Sequence, residues 1–427
     1  MESRDRSRPR GFEGDGGTGT GEVVAVPIAR GIRENLGRAS WIRRTFEEGR
    51  RLKELHGADA VFDFSLGNPD VEPPAEFHET ILRVLREGGK GLHAYMPNAG
   101  YPFAREAVAR KVSREHGCPV SPDHVLLTVG AAGALNVLFH TILDPGDEVV
   151  VPRPYFGEYY FYILNHGGRM VTVDCRPDFE LDPQRIAAAL TPRTAALIVN
   201  TPNNPTGRIY RKETLQAVAA VLAEHGRRTG RPPLLVVDEP YRDIVYDGRS
   251  APPILGLYPE TAIVTSWSKT LSIPGERIGY LAVSDACSGI GEMMDGLTMS
   301  NRTLGFVNAP ALLQRAVAPL EGRTADLSRY AERRKALGAI LDAAGISYAE
   351  PQGAFYYFCR VPEGGPSGTE AERDLAFNEC LRGENILAVP GIGFDYPGWF
   401  RLSYCVPETT ITGSEAAWKR AILEWNR

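Results

Sequence analysis

The chain has 427 residues, a formal net charge of -5, 43% hydrophobic and 24% charged residues, and six cysteines. The length exceeds the roughly 250–300 residues at which single hydrophobic cores stop growing, so two domains are expected. The mild charge gives no reason to expect nucleic acid or an anionic membrane as partner, and no apolar run approaches the ~18–20 residues of a membrane span.

Residues 1–22 are rich in Arg, Gly, Ser and Asp, with four arginines between Arg4 and Arg10, and lack the apolar stretch of a secretory signal. They have almost nothing to bury and read as a disordered tail. An amphipathic helix follows, about Ala39 to His56, closed by Gly57. Phe62 to Leu66 alternates briefly and enters the turn Gly67-Asn68-Pro69-Asp70. From about Glu76 to Val283 the pattern is strand, turn, helix, repeated. Predicted strands are Val125–Val129, Glu148–Val151, Met170–Asp174, Ala196–Asn200, Leu234–Asp238, Ala262–Ser266 and Gly279–Val283. Predicted helices between them include Ala131–Leu143, Pro183–Leu190 and Lys212–Glu224.

Short apolar strands without alternation come from a sheet covered on both faces, and strand–helix alternation argues for a mostly parallel α/β sheet. The last third differs: a long helical stretch, about Ala309 to Ala344, then Phe355–Cys359, a helix near Ala371–Arg382, strands Ile386–Val389 and Phe400–Tyr404, and a final helix. The expected fold is α/β, a large domain with a mostly parallel seven-stranded sheet covered by helices, plus a smaller α+β domain. The large domain spans 76–312; the small one combines 23–75 with 313–427.

The cysteines, Cys118, Cys175, Cys287, Cys359, Cys380 and Cys405, show neither C-x-x-C nor zinc-site spacing. Free thiols in a reducing cytoplasm are expected, and no metal.

In an open α/β sheet, ligands bind at the carboxyl ends of the strands. Val129 runs into Gly130-Ala131-Ala132-Gly133, Asn200 into Thr201-Pro202-Asn203-Asn204-Pro205-Thr206-Gly207, Val237 into Asp238-Glu239-Pro240-Tyr241, and Thr265 into Ser266-Trp267-Ser268-Lys269, with Arg277 eight residues beyond the lysine. These residue types suit a phosphorylated pyridine aldehyde. A lysine amine condenses with the aldehyde once its pKa falls from ~10.4. A buried carboxylate pairs with the pyridinium nitrogen and keeps the ring an electron sink. An amide and a phenol bond the ring oxygen. Helix-start N–H groups, hydroxyls and a guanidinium cradle the phosphate.

Ser266-x-Ser268-Lys269 with Arg277, Asn204-Pro205-Thr206-Gly207 and Asp238-x-x-Tyr241 resemble the class I/II aminotransferases, the aspartate-aminotransferase-like branch of fold type I pyridoxal-phosphate enzymes. Order and spacing match from about Phe62 to Val406, with further matches at Tyr95-Met96-Pro97-Asn98-Ala99-Gly100, Pro351-Gln352-Gly353-Ala354-Phe355 and Phe400-Arg401-Leu402-Ser403-Tyr404. The resemblance implies pyridoxal 5′-phosphate held as a Schiff base on Lys269, which is also the proton shuttle. It places Asp238 under the pyridine nitrogen, and Asn204 and Tyr241 at the ring oxygen. Ser266, Ser268, Arg277 and the amides of Ala131 and Ala132 fall at the phosphate. Phe156 is implied on the ring face, with Tyr155 and Tyr159 as alternatives. Arg401 is implied as the clamp on the substrate α-carboxylate, with Gly67 beside it. Tyr95 would reach the phosphate of the neighbouring subunit, implying a homodimer with shared sites.

The sequence departs from dicarboxylate-specific members in offering no clear second arginine; Arg302 is the nearest candidate and reads equally as structural. Gly130-Ala131-Ala132-Gly133 also lacks hydroxyls for the phosphate. The expected activity is amino transfer between an amino acid and a 2-keto acid. The alternative keeps the cofactor and performs β/γ-carbon chemistry, as in enzymes resembling aminocyclopropane-carboxylate synthase that use S-adenosylmethionine. A regulator built on an inactive transaminase fold is disfavoured, because a 22-residue tail cannot supply a DNA-binding domain of ~60–80 residues.

Overall fold

The computed structural model describes residues 28–36 and 41–427; the expected tail lies outside them. Helix Arg30–Leu36 is a unit by itself and buries none of its residues. The strands, in chain order, are β1 (Phe62–Asp63), β2 (Val125–Thr128), β3 (Glu148–Arg153), β4 (Arg169–Asp174), β5 (Thr194–Asn200), β6 (Leu234–Asp238), β7 (Thr261–Ser266), β8 (Gly279–Val283), β9 (Tyr348–Ala349), β10 (Tyr356–Arg360), β11 (Ile386–Leu387), β12 (Val389–Pro390) and β13 (Trp399–Ser403).

All seven strands expected between Glu76 and Val283 form, and they make one sheet in the order β2-β8-β7-β6-β5-β3-β4. Pairing is parallel except at β8, which runs against both β2 and β7. Their continuous apolar sequence is explained by burial on both faces. Leu127, Val150, Leu197, Val199, Leu235, Val237 and Ile263 pack on one face. Leu126, Val149, Val151, Ile198, Val236 and Val264 pack on the other, against Ala134, Leu135 and Leu138 of helix Gly130–Ile142. Helix Lys212–Thr229 continues five residues past its expected end and stops at Gly230, whose φ of 73° ends it in the left-handed region. It passes through Gly226, where a Cβ would come within 2.9 Å of Pro232.

The last third builds a four-stranded antiparallel sheet, β12-β13-β10-β9. β1 pairs in parallel with β11, so the chain around Phe62 joins this C-terminal region. Phe377, Phe400, Leu402, Tyr404 and Trp418 form its core, together with Phe64. Two expectations need correction. The single helical stretch from Ala309 to Ala344 is helix Ala311–Val317, a 3-10 turn Ala318–Leu320 and helix Ser328–Ala343. Pro319 has no N–H to continue the first helix, and Gly322, at φ 79°, turns the chain away. The single strand Ile386–Val389 is two, β11 and β12, in different sheets on either side of Ala388. No helix among the described residues is long and apolar enough to cross a membrane.

β8 meets the start of helix Gly130–Ile142 at Gly279, where a Cβ would lie 2.6 Å from the Thr265 carbonyl oxygen and 2.7 Å from the Gly130 carbonyl carbon. Gly279→Ala is therefore expected to lose about 1–3 kcal/mol of stability by overpacking, read from urea denaturation. An unchanged midpoint would show that these strand ends can part at no cost.

Candidate active site

The carboxyl ends of the central strands lie side by side, with Asn200 paired to Asp238 and Asp238 to Val264 across β5, β6 and β7. Because β8 runs the other way, its start lies at the same edge, with Gly279 opposite both Thr128 and Ser266. The residues just before β8 therefore join the residues just after its neighbours. That reversal delivers Arg277, held at φ 53° with Nη1 donating to the Pro274 carbonyl at 3.0 Å.

A cavity of about 370 Å³ opens at this edge. Gly67, Ala131, Ala132, Phe156, Asn204, Asp238, Tyr241, Ser266, Ser268, Lys269, Arg277 and Arg401 all line it. Tyr95 does not, and is 89% exposed. Arg302, in the last turn of helix Ile290–Thr303, is exposed and also outside the cavity.

Lys269 sits in the short helix Trp267–Thr270, capped by Ser266, whose hydroxyl accepts from the Ser268 N–H at 3.4 Å. Its Nζ donates to the Gly67 carbonyl at 2.6 Å and lies 5.5 Å from the Phe355 ring centre. Glycine at position 67 leaves room for the Tyr356 hydroxyl, which a Cβ there would overlap. Part of the lysine faces the cavity and protein surrounds the rest. Burial, helped by the positive charges of Arg401 and Arg277, pulls its pKa down to about 8.

Asp238 is buried at the end of β6, and burial pushes its pKa up to about 7. The Tyr159 hydroxyl donates to its Oδ2, while Oδ1 is buried without a partner. Asn200 fixes the backbone here: its Nδ2 donates to the Asp238 carbonyl at 2.8 Å and its Oδ1 accepts from the Asn204 N–H at 2.7 Å. Behind Asp238, His116 Nδ1 accepts from the backbone of Ile254 and Leu255, so Nε2 carries the proton toward Glu239 at 3.0 Å. Glu115, His116 and Glu239 bring ligand-type atoms together. Glu239 is already bonded to His116 and Arg242, and Glu115 to Lys111.

Arg401, on β13, is 1% exposed. Nη1 donates to Asn204 Oδ1 at 3.0 Å and Nη2 to the Ser65 carbonyl at 2.6 Å, while Nε has no partner. The guanidinium lies 4.4 Å from the Tyr356 ring centre and 5.0 Å from that of Phe394. Among the described residues no carboxylate pairs with it within 4 Å. Burial lowers its pKa. With Oδ1 taken by Arg401, Asn204 is left with its Nδ2 donors. Tyr241 and Tyr356 share a hydroxyl–hydroxyl hydrogen bond of 2.9 Å.

Four contributors escaped the sequence reading in these roles: Tyr159 as the partner of Asp238, Tyr356, Asn200 and Tyr162. Tyr159 was a candidate for ring stacking; its hydroxyl is instead committed to Asp238, and Phe156 packs edge-on against it at 5.6 Å. Tyr155 is buried and does not line the cavity. Tyr356 directly follows the motif ending at Phe355, and Asn200 directly precedes the one starting at Thr201. Their adjacency to those motifs is the signal that would have found them.

The sequence profile of the family described as "Aminotransferase class I and II" matches residues 59–413. The chain is 35% identical over 363 residues to an aspartate/prephenate aminotransferase of Thermus thermophilus, covering 83% of this chain and 89% of that one. It is 32% identical over 380 residues to an aspartate aminotransferase of Geobacillus stearothermophilus, covering 87% and 93%. Among solved structures, an amino transferase of Eubacterium rectale matches with a TM-score of 0.88 at 33% identity, over 94% of this chain and 100% of that one.

In protein freed of bound small molecules, Lys269 should be protonated below and neutral above a pH of about 8. Competitive labelling with 1-fluoro-2,4-dinitrobenzene, read by peptide mass spectrometry, should reach half its limit at Lys269 near that pH. A midpoint above about 10, the ordinary lysine range, would contradict the burial described here.

Proposed function

The chain belongs to the class I and II aminotransferases and is an aminotransferase; from that premise we propose that it uses pyridoxal 5′-phosphate carried on Lys269 to move an amino group between an amino acid and a 2-keto acid. The observation that carries this reading is the pairing, in one cavity, of a lysine amine held on the Gly67 carbonyl and a buried carboxylate whose Oδ1 lacks a partner.

The residues present fit the cofactor. A pyridinium N–H would satisfy the orphan Oδ1 of Asp238 and stabilise its charge against burial. Phosphate suits the corner where helix Gly130–Ile142 begins beside Arg277, with Gly130 so close that a Cβ would lie 3.0 Å from the guanidinium Nη2. The amides of Ala131 and Ala132, the hydroxyls of Ser266 and Ser268 and the Arg277 guanidinium would hold it. Asn204 Nδ2 and the Tyr241 hydroxyl suit the ring oxygen, and Phe156 a ring face. When bound, pyridoxal phosphate supplies an aldehyde that condenses with amines and a protonated ring that accepts the electron pair of a carbanion.

The chain's own residues do the rest. Arg401 binds the substrate α-carboxylate, which supplies the partner charge that the buried guanidinium lacks. Lys269 Nζ, neutral above a pH of about 8, takes the proton from the substrate α-carbon. Tyr159 holds Asp238 by its other oxygen, so the carboxylate keeps its direction. With Arg277 at the phosphate and Arg401 at the α-carboxylate, the described residues offer no third guanidinium in the cavity for an acidic side chain. We also propose a homodimer with shared sites. Tyr95, almost fully exposed and outside its own cavity, supports a place in the neighbouring site.

The test is an absorbance spectrum of the purified protein before and after mixing with single amino acids, without any keto acid. Conversion of the cofactor from its aldehyde to its amine form identifies an amino donor. Consumption of substrate while the cofactor keeps its aldehyde form would overturn amino transfer. Lys269→Ala and Asp238→Ala are each expected to lower kcat by about 10²–10⁴-fold or more with the fold intact. Full activity in either would remove the site assignment.

A further inference from the structure

The Arg401 guanidinium lies against Phe394, which is fully buried and ends the 3-10 turn Gly391–Phe394. Pro390 precedes this turn and offers no side-chain cap. The cap comes from another element. Asp374, in helix Glu370–Gly383 and 0% exposed, accepts from the Ile392 N–H through Oδ2 at 2.9 Å. Its Oδ1 is buried without a partner, and burial pushes the group's pKa up to about 8. An acid so placed is costly to bury, and the described contacts give it one clear task, holding that turn.

The turn has a second neighbour. The Phe394 carbonyl accepts from the Tyr155 N–H at 3.3 Å. The Gly393 carbonyl is so close to Gly157 that a Cβ there would lie 2.9 Å away. Phe156, which lines the cavity, sits between Tyr155 and Gly157. One short turn thus touches Arg401 on β13 and the loop that carries Phe156.

We propose that Asp374 is a positioning residue for substrate binding: by capping the turn Gly391–Phe394 it sets Phe394 against Arg401 and fixes the same turn against the Phe156 loop. The proposal rests on the reading of Arg401 as the α-carboxylate clamp. Asp374 touches neither substrate nor cofactor and acts through the turn. It is expected to affect how tightly the carboxylate is held far more than the proton transfer at Lys269.

The experiment is the half-reaction of the cofactor-loaded enzyme by stopped-flow absorbance, with L-aspartate, L-phenylalanine and L-alanine, giving Kd and the limiting rate constant separately. Asp374→Ala should raise Kd by about tenfold with the limiting rate within about threefold, the pattern of lost ground-state binding. Asp374→Asn, whose Oδ1 accepts the same N–H, should restore Kd to within about twofold. Gly157→Ala pushes on the Gly393 carbonyl without touching the helix of Asp374, and should raise Kd about fivefold, which tests the turn even where Asp374→Ala fails to fold. Unchanged Kd in folded Asp374→Ala or in Gly157→Ala overturns the proposal, as does an Asn variant as impaired as the Ala variant. Arg401→Lys separates the two levels. A Kd that does not rise there sinks the clamp reading and the proposal with it, whereas a raised Kd in Arg401→Lys beside an unchanged one in Asp374→Ala sinks the proposal alone.

Discussion

The constraint on which this molecule is built is a guanidinium buried without a counter-charge. Taking a charge out of water costs several kcal/mol even after relaxation, and Arg401 is 1% exposed with no carboxylate within reach among the described residues. The protein offsets the cost in part with neutral partners: two hydrogen bonds, to Ser65 and Asn204, and the faces of Tyr356 and Phe394. What remains uncompensated is a standing preference for a carboxylate ligand. Lys269 has the converse condition, an amine driven toward neutrality by burial and by the same arginine nearby. One cavity thus holds a charge that wants a partner and an amine whose charge burial disfavours.

These groups meet because one strand is reversed. In an all-parallel sheet the residues before a strand lie at the opposite edge from the residues after its neighbour. Antiparallel β8 brings the chain before it to the edge where β5, β6 and β7 end. Arg277 therefore faces the start of helix Gly130–Ile142, where unpaired backbone N–H groups and the helix dipole already favour an anion. A positive guanidinium, a helix start and two serines concentrate at one corner, while Asp238, the single carboxylate among the described residues that line the cavity, stands at another strand end.

Much of this was legible in the sequence, for a definite reason. Lys269, Asp238, Asn204 and Ser266 sit at or just past strand ends, and strand ends are where apolar runs give way to turn residues. The seven strands of the large sheet were readable because burial on both faces leaves an uninterrupted apolar signature. Illegible were features decided by tertiary placement. Tyr159 reads as one aromatic among several after Pro154, and only the seating of helix Glu158–Leu164 aims its hydroxyl at Asp238. Tyr356 stands next to a motif that drew notice, but that it faces the cavity is decided by the pairing of β10 with β13. The break at Pro319 was visible as a residue but was overridden by the helical pattern on both sides.

The clamp on Arg401 joins parts of the chain that are far apart: the Ser65 carbonyl comes from the first sixth of the sequence and the arginine from its end. This imposes an order on biosynthesis. Every residue of the sheet edge from Gly130 to Arg277 has been translated before the ribosome reaches Arg401. At about 5–20 residues per second, the interval is on the order of ten seconds. During it the nascent chain holds the lysine and the helix-start corner without the buried guanidinium. Ser65 waits with its carbonyl unclaimed until the last strands add, so the Arg401 side of the cavity is a late product of vectorial synthesis.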